Sequence, residues 1–173
     1  YVTITDNNLC QKFDSVQIQI LNQISVTFSN IVPTSCNIGN GGNHTGSAMA
    51  TASGGIGSYQ YQWASGETTQ TAVNLTAGWN RITVTDDVNC VKIDSVFIPE
   101  PTLLTISNIT ITPPTCHGNN NGQVQVTVSG GTGSPVINWY TTENQFVSSG
   151  SPLVASAGSY ILRVSDQNSC TIP

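Results

Sequence analysis

The feature that most constrains this sequence is a phrase that returns. Residues 2–10 read VTITDNNLC, residues 82–90 read ITVTDDVNC and residues 162–170 read LRVSDQNSC. Their cysteines, Cys10, Cys90 and Cys170, stand 80 positions apart. Lys12, Asp14 and Ser15 return as Lys92, Asp94 and Ser95, Cys36 as Cys116, and Pro33 as Pro113. After Cys36 and Cys116 the register slips by four, so Gly54-Gly55 answers to Gly130-Gly131 and Trp63 to Trp139. The longer loop is the one after Cys36, where NIGNGGNHTG (37–46) stands against HGNNNG (117–122). A fixed period of this length means a repeated supersecondary unit that buries its apolar face against its own second layer or its neighbours.

Within one unit the residues read as strands. TLLTISNITI (102–111) runs to Pro113-Pro114, and QVQVTVSGG (123–131) alternates strictly. PVINWY (135–140) and YQYQW (59–63) supply the third strand, with Tyr59, Tyr61 and Trp63 on one face because strand side chains alternate. A weaker edge is expected at 68–75 or 144–149, then strands at 80–86 or 159–166 and at 91–98. About seven short strands per period, separated by turn residues and without helical spacing, predict an all-β fold of tandem immunoglobulin-like β-sandwich repeats. Residues 1–21 are then the last two strands of a preceding repeat, 22–101 a complete repeat, and 102–173 a repeat lacking its last strand. On this reading the chain is an excerpt of a longer one, or a subunit completed by neighbours. Trp63, Trp139, Tyr61 and Ile137 are the expected core.

Composition excludes more than it suggests. With 4 basic and 9 acidic residues the net charge is −5, so nucleic acid and anionic membrane are poor partners. No stretch approaches the roughly 20 apolar residues of a membrane span. The 5 cysteines include no C-x-x-C pair, which argues against zinc, and regularly placed single cysteines fit an oxidising, extracellular setting. His44 and His117 sit alone in loops. Asp6, Asp86 and Asp166 open turns, where a carboxylate accepts backbone N–H groups. Calcium is the one metal to weigh, since Asp87 adjoins Asp86, but a calcium site wants six or more oxygens. No nucleophile elbow, Ser/His/Asp set or carboxylate pair can be assembled, so no enzyme and no cofactor are expected. Trp79 is the one fair candidate for stacking on a ligand.

The cysteine offsets are equal, Cys36 to Cys90 and Cys116 to Cys170 both being 54. One disulfide within each unit is the simple hypothesis. In an immunoglobulin-like sandwich, however, the loop after the first strand and the turn between the last two strands lie at opposite ends. They are then about 20 Å apart, beyond the roughly 7 Å that a disulfide tolerates. Cys36 at the bottom of one domain could instead meet Cys170 at the top of the next, with Cys10, Cys90 and Cys116 bonded to neighbours outside the sequence. Both pairings stay open at this point.

The run from Cys116, C-H-G-x-x-x-G-x-V-x-V-T-V-S-G-G-T, then I-N-W, then A-G-S-Y-I-L-R-V-S-D-x-x-x-C, resembles the SprB-type repeat of gliding adhesins and other giant surface proteins of Bacteroidota. The resemblance extends over both units and the opening fragment. It departs from the family's pattern where Gly57-Ser58 and Ser134-Pro135 replace Pro-Pro-Tyr, and where Leu9, Asn89 and Ser169 replace a glycine before the last cysteine. The resemblance implies export to the cell surface and a place in a long adhesive or filamentous array. Asp14-Ser15-Val16 and Asp94-Ser95-Val96 look like the Asp-Ser/Thr-apolar O-glycosylation motif of the same bacteria, making Ser15 and Ser95 candidate acceptors. The plain alternative is that Asp-Ser keeps the outer face of the last strand polar. Asn43-His-Thr, Asn74-Leu-Thr and Asn108-Ile-Thr match the N-linked acceptor, a short motif common by chance.

The expected function is therefore structural or adhesive: a tandem-repeat segment of an extracellular surface filament or giant adhesin. Its expected partners are neighbouring repeats of the same chain or identical subunits, and surface glycans. The alternatives are a glycan- or protein-binding module, or a spacer of a secreted enzyme.

Overall fold

The computed structural model describes residues 1–15, 22–42 and 45–172 of the chain. His44, the Asn43 acceptor, Val16 and the rest of 16–21, the end of the expected second strand, lie outside the described residues. The fold is all β, and its one helical element among the described residues is a single 3-10 turn, Ile38–Asn40.

The opening segment is a hairpin, β1 (Val2–Thr5) against β2 (Gln11–Asp14), exposed along its whole length. Six strands follow. β3 (Ser25–Val32), β4 (Gly46–Ser53) and β6 (Thr71–Leu75) form one antiparallel sheet in the order β3-β4-β6. β5 (Tyr59–Trp63), β7 (Gly78–Asp86) and β8 (Val91–Ile98) form another in the order β5-β7-β8. One core cluster joins them: Ala48, Ala50, Ala72 and Leu75 from the first sheet, and Trp63, Ile82, Val84, Val96 and Ile98 from the second. Alternation is why this works, since every second residue of β7 (Ile82, Val84, Asp86) faces inward. Small residues on β4 face the large Trp63 and Ile98, the match that native packing density requires. At Gly46 even a methyl group would meet Ile98 Cγ2 at 2.5 Å. Trp63 is 1% exposed, and its ring N–H donates to Thr69 O at 2.9 Å, so the indole is buried without an orphaned donor. Tyr61 packs half-buried against the same cluster.

Six more strands form the second pair of sheets. β9 (Thr105–Thr112), β10 (Gly122–Ser129) and β13 (Leu153–Ala155) order as β13-β10-β9, and β11 (Val136–Thr141), β12 (Phe146–Ser149) and β14 (Tyr160–Ser165) as β12-β11-β14. Val126, Trp139 and Leu153 are buried between them, with Ile137, Val124 and Leu162 half-buried around them. Trp139 repeats the solution of Trp63, its ring N–H donating to Gly150 O at 2.9 Å.

The structure corrects one expected equivalence. The edges at 68–75 and 144–149 are not the same strand. β6 pairs with β4, whereas β12 pairs with β11 in the opposite sheet, and the short β13 takes the place beside β10. The second pair of sheets adds a strand next to its tryptophan strand because Tyr140 and Phe146 meet edge to face across β11 and β12, centroids 5.8 Å apart.

Candidate functional site

The site assembles from a turn chemistry used three times. In each cysteine turn the aspartate side chain accepts two backbone N–H groups: Asp6 Oδ1 from Asn8 and Cys10, Asp86 Oδ1 from Val88 and Cys90, and Asp166 Oδ1 from Asn168 and Cys170. The residue before each cysteine is left-handed, with φ of 65° at Leu9, 62° at Asn89 and 64° at Ser169. That region suits glycine and disfavours a residue with a Cβ, which gives a physical reason for the glycine that the family carries there. Asp86 and Asp166 are buried and reach further. Asp86 Oδ2 accepts from Ile56 N, and Asp166 Oδ2 from Thr132 N, each at 2.9 Å or less, tying the turn to the glycine loop that leads into the neighbouring strand, β5 or β11.

Burial pushes the Asp86 carboxyl up, but the N–H groups of Ile56, Cys90 and Val88 outweigh it and hold the carboxyl below its ordinary value of 3.8. A folded-state value below the unfolded one gives stability that is present above the unfolded value and lost as pH falls through the folded one. The melting temperature of the first pair of sheets should therefore stay level down to about pH 5 and drop below about pH 4. Asp86→Asn should lower it at neutral pH and flatten the acid limb, which a fluorescence melt across pH checks.

The turn around Cys170 meets the loop after Cys36. The two sulfurs form a disulfide, with Cα atoms 5.6 Å apart and 134 residues of separation. Beside it Asn168 Nδ2 donates to Ser35 O at 2.8 Å. Cys10, Cys90 and Cys116 are free and exposed.

The loop also grips the linker at 99–104 along its length. Thr34 N donates to Pro99 O, Ile38 N to Glu100 Oε2, and Asn37 Nδ2 to Pro101 O, each at 3.0 Å. Gly131 N donates to Thr102 O at 2.9 Å. Asn40 then holds Leu104 at both backbone groups, accepting from its N–H at 2.7 Å and donating to its C=O at 3.0 Å. Asn40 is only 5% exposed and Leu104 1%. Pro99 and Pro101 have no N–H to satisfy and restrict their own φ, so the linker is stiff before it is gripped. Close packing fixes the rest. A Cβ on Gly39 would meet Leu103 Cδ1 at 2.7 Å, and Gly130 sits against the Leu103 carbonyl. The corresponding loop after Cys116 folds on itself instead, with Thr115 N donating to Asn121 Oδ1 and Asn119 Nδ2 to Thr115 Oγ. Sequence reading located the longer loop but gave no role to Asn37, Gly39 or Asn40. The extra residues between two otherwise matched units were the signal.

The remaining sequence candidates are dispersed. Ser15 is exposed and its N–H bonds Asp14 Oδ1; Ser95 is half-buried on β8, its N–H bonds Asp94 Oδ1, and it lies opposite Arg81 on β7. His117 is exposed. Among the described residues, no group of three or more His, Cys, Asp or Glu is placed to hold a metal ion. Trp79 is 73% exposed and meets Phe97 edge to face at 5.5 Å.

Residues 28–68 and 108–142 match the SprB repeat. Each match starts in the first strand of its pair of sheets, spans the first cysteine and runs past the buried tryptophan. These two segments thus match a structural repeat family associated with the repeat regions of adhesin-like cell-surface proteins. No curated protein matches the chain. No helix among the described residues is long and apolar enough to cross a membrane.

Proposed function

We propose that the chain is a load-bearing segment of tandem immunoglobulin-like units in an extracellular bacterial surface filament or giant adhesin. In this reading, residues 1–21 close a preceding unit, 22–101 form one unit and 102–173 belong to the next. The partners are neighbouring units, with Cys10, Cys90 and Cys116 bonded across further joints. The observation that carries it is the joint itself: a linker whose polar groups are taken up by the loop at 34–42, next to a covalent bridge. A chain built only to display independent modules has no use for such a joint, because flexible linkers are the default between domains.

Small-angle scattering on the oxidised chain tests this. The expected profile is that of a single elongated particle with one fixed arrangement of its two sandwiches. A profile that requires a broad spread of unit orientations would sink the reading. Ser15 and Ser95 as glycan acceptors remain a separate proposal, checked by intact-mass measurement on the chain isolated from its native cell.

A further inference from the structure

The outer face of the β5-β7-β8 sheet carries a feature that a passive rod does not need. Trp79 and Arg81 are two residues apart on β7, so they project from the same face. Their cross-strand neighbours on β8 are Phe97 and Ser95. Phe97 supports the Trp79 ring at its side, edge to face, and leaves most of the indole open. The ring forms one wall of a groove of about 610 Å³, with Ala64, Ser65, Asn74, Thr76 and Arg81 completing it. The groove's turn is braced from below. Asn80 Nδ2 donates to Thr76 O at 2.7 Å and to Gly78 O at 3.0 Å, so Asn80 is spent on the backbone. Asn74 and Arg81 make no side-chain hydrogen bond among the described residues, and their donors remain for a ligand.

The second sandwich shows what happens when such groups serve stability alone. There the Arg163 guanidinium lies 4.5 Å over the Tyr140 ring, its Nη2 donates to Asn144 Oδ1 at 2.8 Å, and Tyr140 packs on Phe146. Cation and aromatics are used up on one another. In the first sandwich Phe97 meets only the side of Trp79, no cation lies over its ring among the described residues, and Arg81 stands beside it without a side-chain hydrogen bond.

We propose that this groove binds a neutral glycan, stacking the flat apolar face of a β-linked pyranose on Trp79 while Arg81 and Asn74 donate to its hydroxyls. The ligand must be apolar on one face and rich in oxygen acceptors at its edge, which is the chemistry of a sugar ring and not of an apolar peptide. Charge decides against an acidic glycan. The Glu67 carboxylate sits one hydrogen bond behind the groove wall, accepting from Ser65 Oγ at 3.1 Å, and the chain's net charge is −5. The groove's size falls in the range of small-ligand sites.

The test is a calorimetric and fluorescence titration of the whole chain with cellohexaose, with polygalacturonate as the acidic comparison. Trp63 and Trp139 are buried, so a saturable change in emission would report Trp79. Binding with a dissociation constant of about 1 mM or tighter is expected. Trp79→Ala should weaken it at least about tenfold, as loss of an aromatic anchor does. Arg81→Gln should weaken it about threefold, the loss of a modest hydrogen-bonding donor. Arg81 points to solvent, so Arg81→Gln should not shift the thermal midpoint; Trp79→Ala also gives up the edge-to-face contact with Phe97 and should lower it slightly. No heat or emission change with cellohexaose up to about 10 mM overturns the proposal. So does full affinity in Trp79→Ala, or a preference for polygalacturonate. None of these outcomes bears on the scattering test of the joint.

Discussion

Loss of the Cys36–Cys170 bridge is expected to cost the chain up to about 5 kcal/mol against unfolding, the chain-entropy value for a closed loop of 134 residues. The variant to compare is Cys36→Ser with Cys170→Ser, which removes the bond and leaves no lone thiol at the joint. Denaturant titration read by Trp63 and Trp139 gives the answer, because one indole lies in each core. The oxidised chain should show one transition for both tryptophans, since neither sandwich can unfold without its partner being held at the end of a loop. In the double serine variant the midpoint should fall, and the two indoles should report separate transitions. The second sandwich should go first, because three of its residues form the fully buried cluster against ten in the first. Coincident transitions with an unchanged midpoint would show that the bridge restrains nothing.

This joint also shows where sequence reading reached its limit. Strand content, the buried tryptophans and the aspartate turns follow from local rules: period-two alternation, a large side chain that needs a partner for its N–H, and a carboxylate two and four residues before backbone donors. Each rule acts within a few residues, so each was legible. The pairing of 144–149 was not. Whether a short segment after the tryptophan strand joins its own sheet or crosses to the other depends on Tyr140 meeting Phe146, a contact that no local pattern encodes. The role of NIGNGGNHTG was hidden for the same reason. An asparagine in a glycine-rich loop looks like turn chemistry, and Asn37 does serve its own turn by accepting from Gly39 N. Asn40 instead faces a linker 64 positions away, and only the folded arrangement of two sandwiches puts Leu104 there. The left-handed residues before the cysteines occupy the middle ground. The replacement of a glycine was visible in the sequence, but not the left-handed φ that Leu9, Asn89 and Ser169 adopt without glycine's freedom.

Asn40→Ala should destabilise the joint by about 3 kcal/mol, the sum expected when a buried N–H and a buried C=O both lose their partner. The size follows from geometry. The side-chain amide matches the backbone of Leu104 at both ends, with contacts of 2.7 and 3.0 Å, in a place from which water is largely excluded. A smaller residue leaves both groups unpaired and opens a gap beneath them, while the bridge at Cys36 keeps the units together and prevents the joint from simply separating. Asn40→Asp gives a sharper comparison. Its carboxylate still accepts from Leu104 N but has no hydrogen to give to Leu104 O, so at neutral pH it should lose stability through the unpaired carbonyl and the buried charge. The deciding measurement is scattering on Asn40→Ala in the oxidised chain and in the Cys36→Ser, Cys170→Ser background. With the bridge intact the particle should stay elongated and fixed; without it the two sandwiches should swing freely, because the linker has lost both its covalent and its polar hold. Because the two holds share one joint, their effects should not add, and the combined variant should lose more rigidity than either change alone predicts. If the combined variant keeps one fixed arrangement, the hold lies elsewhere, in Asn37 and Glu100 on the linker or in Asn168 beside the turn, and Asn40 is only a loop-forming residue.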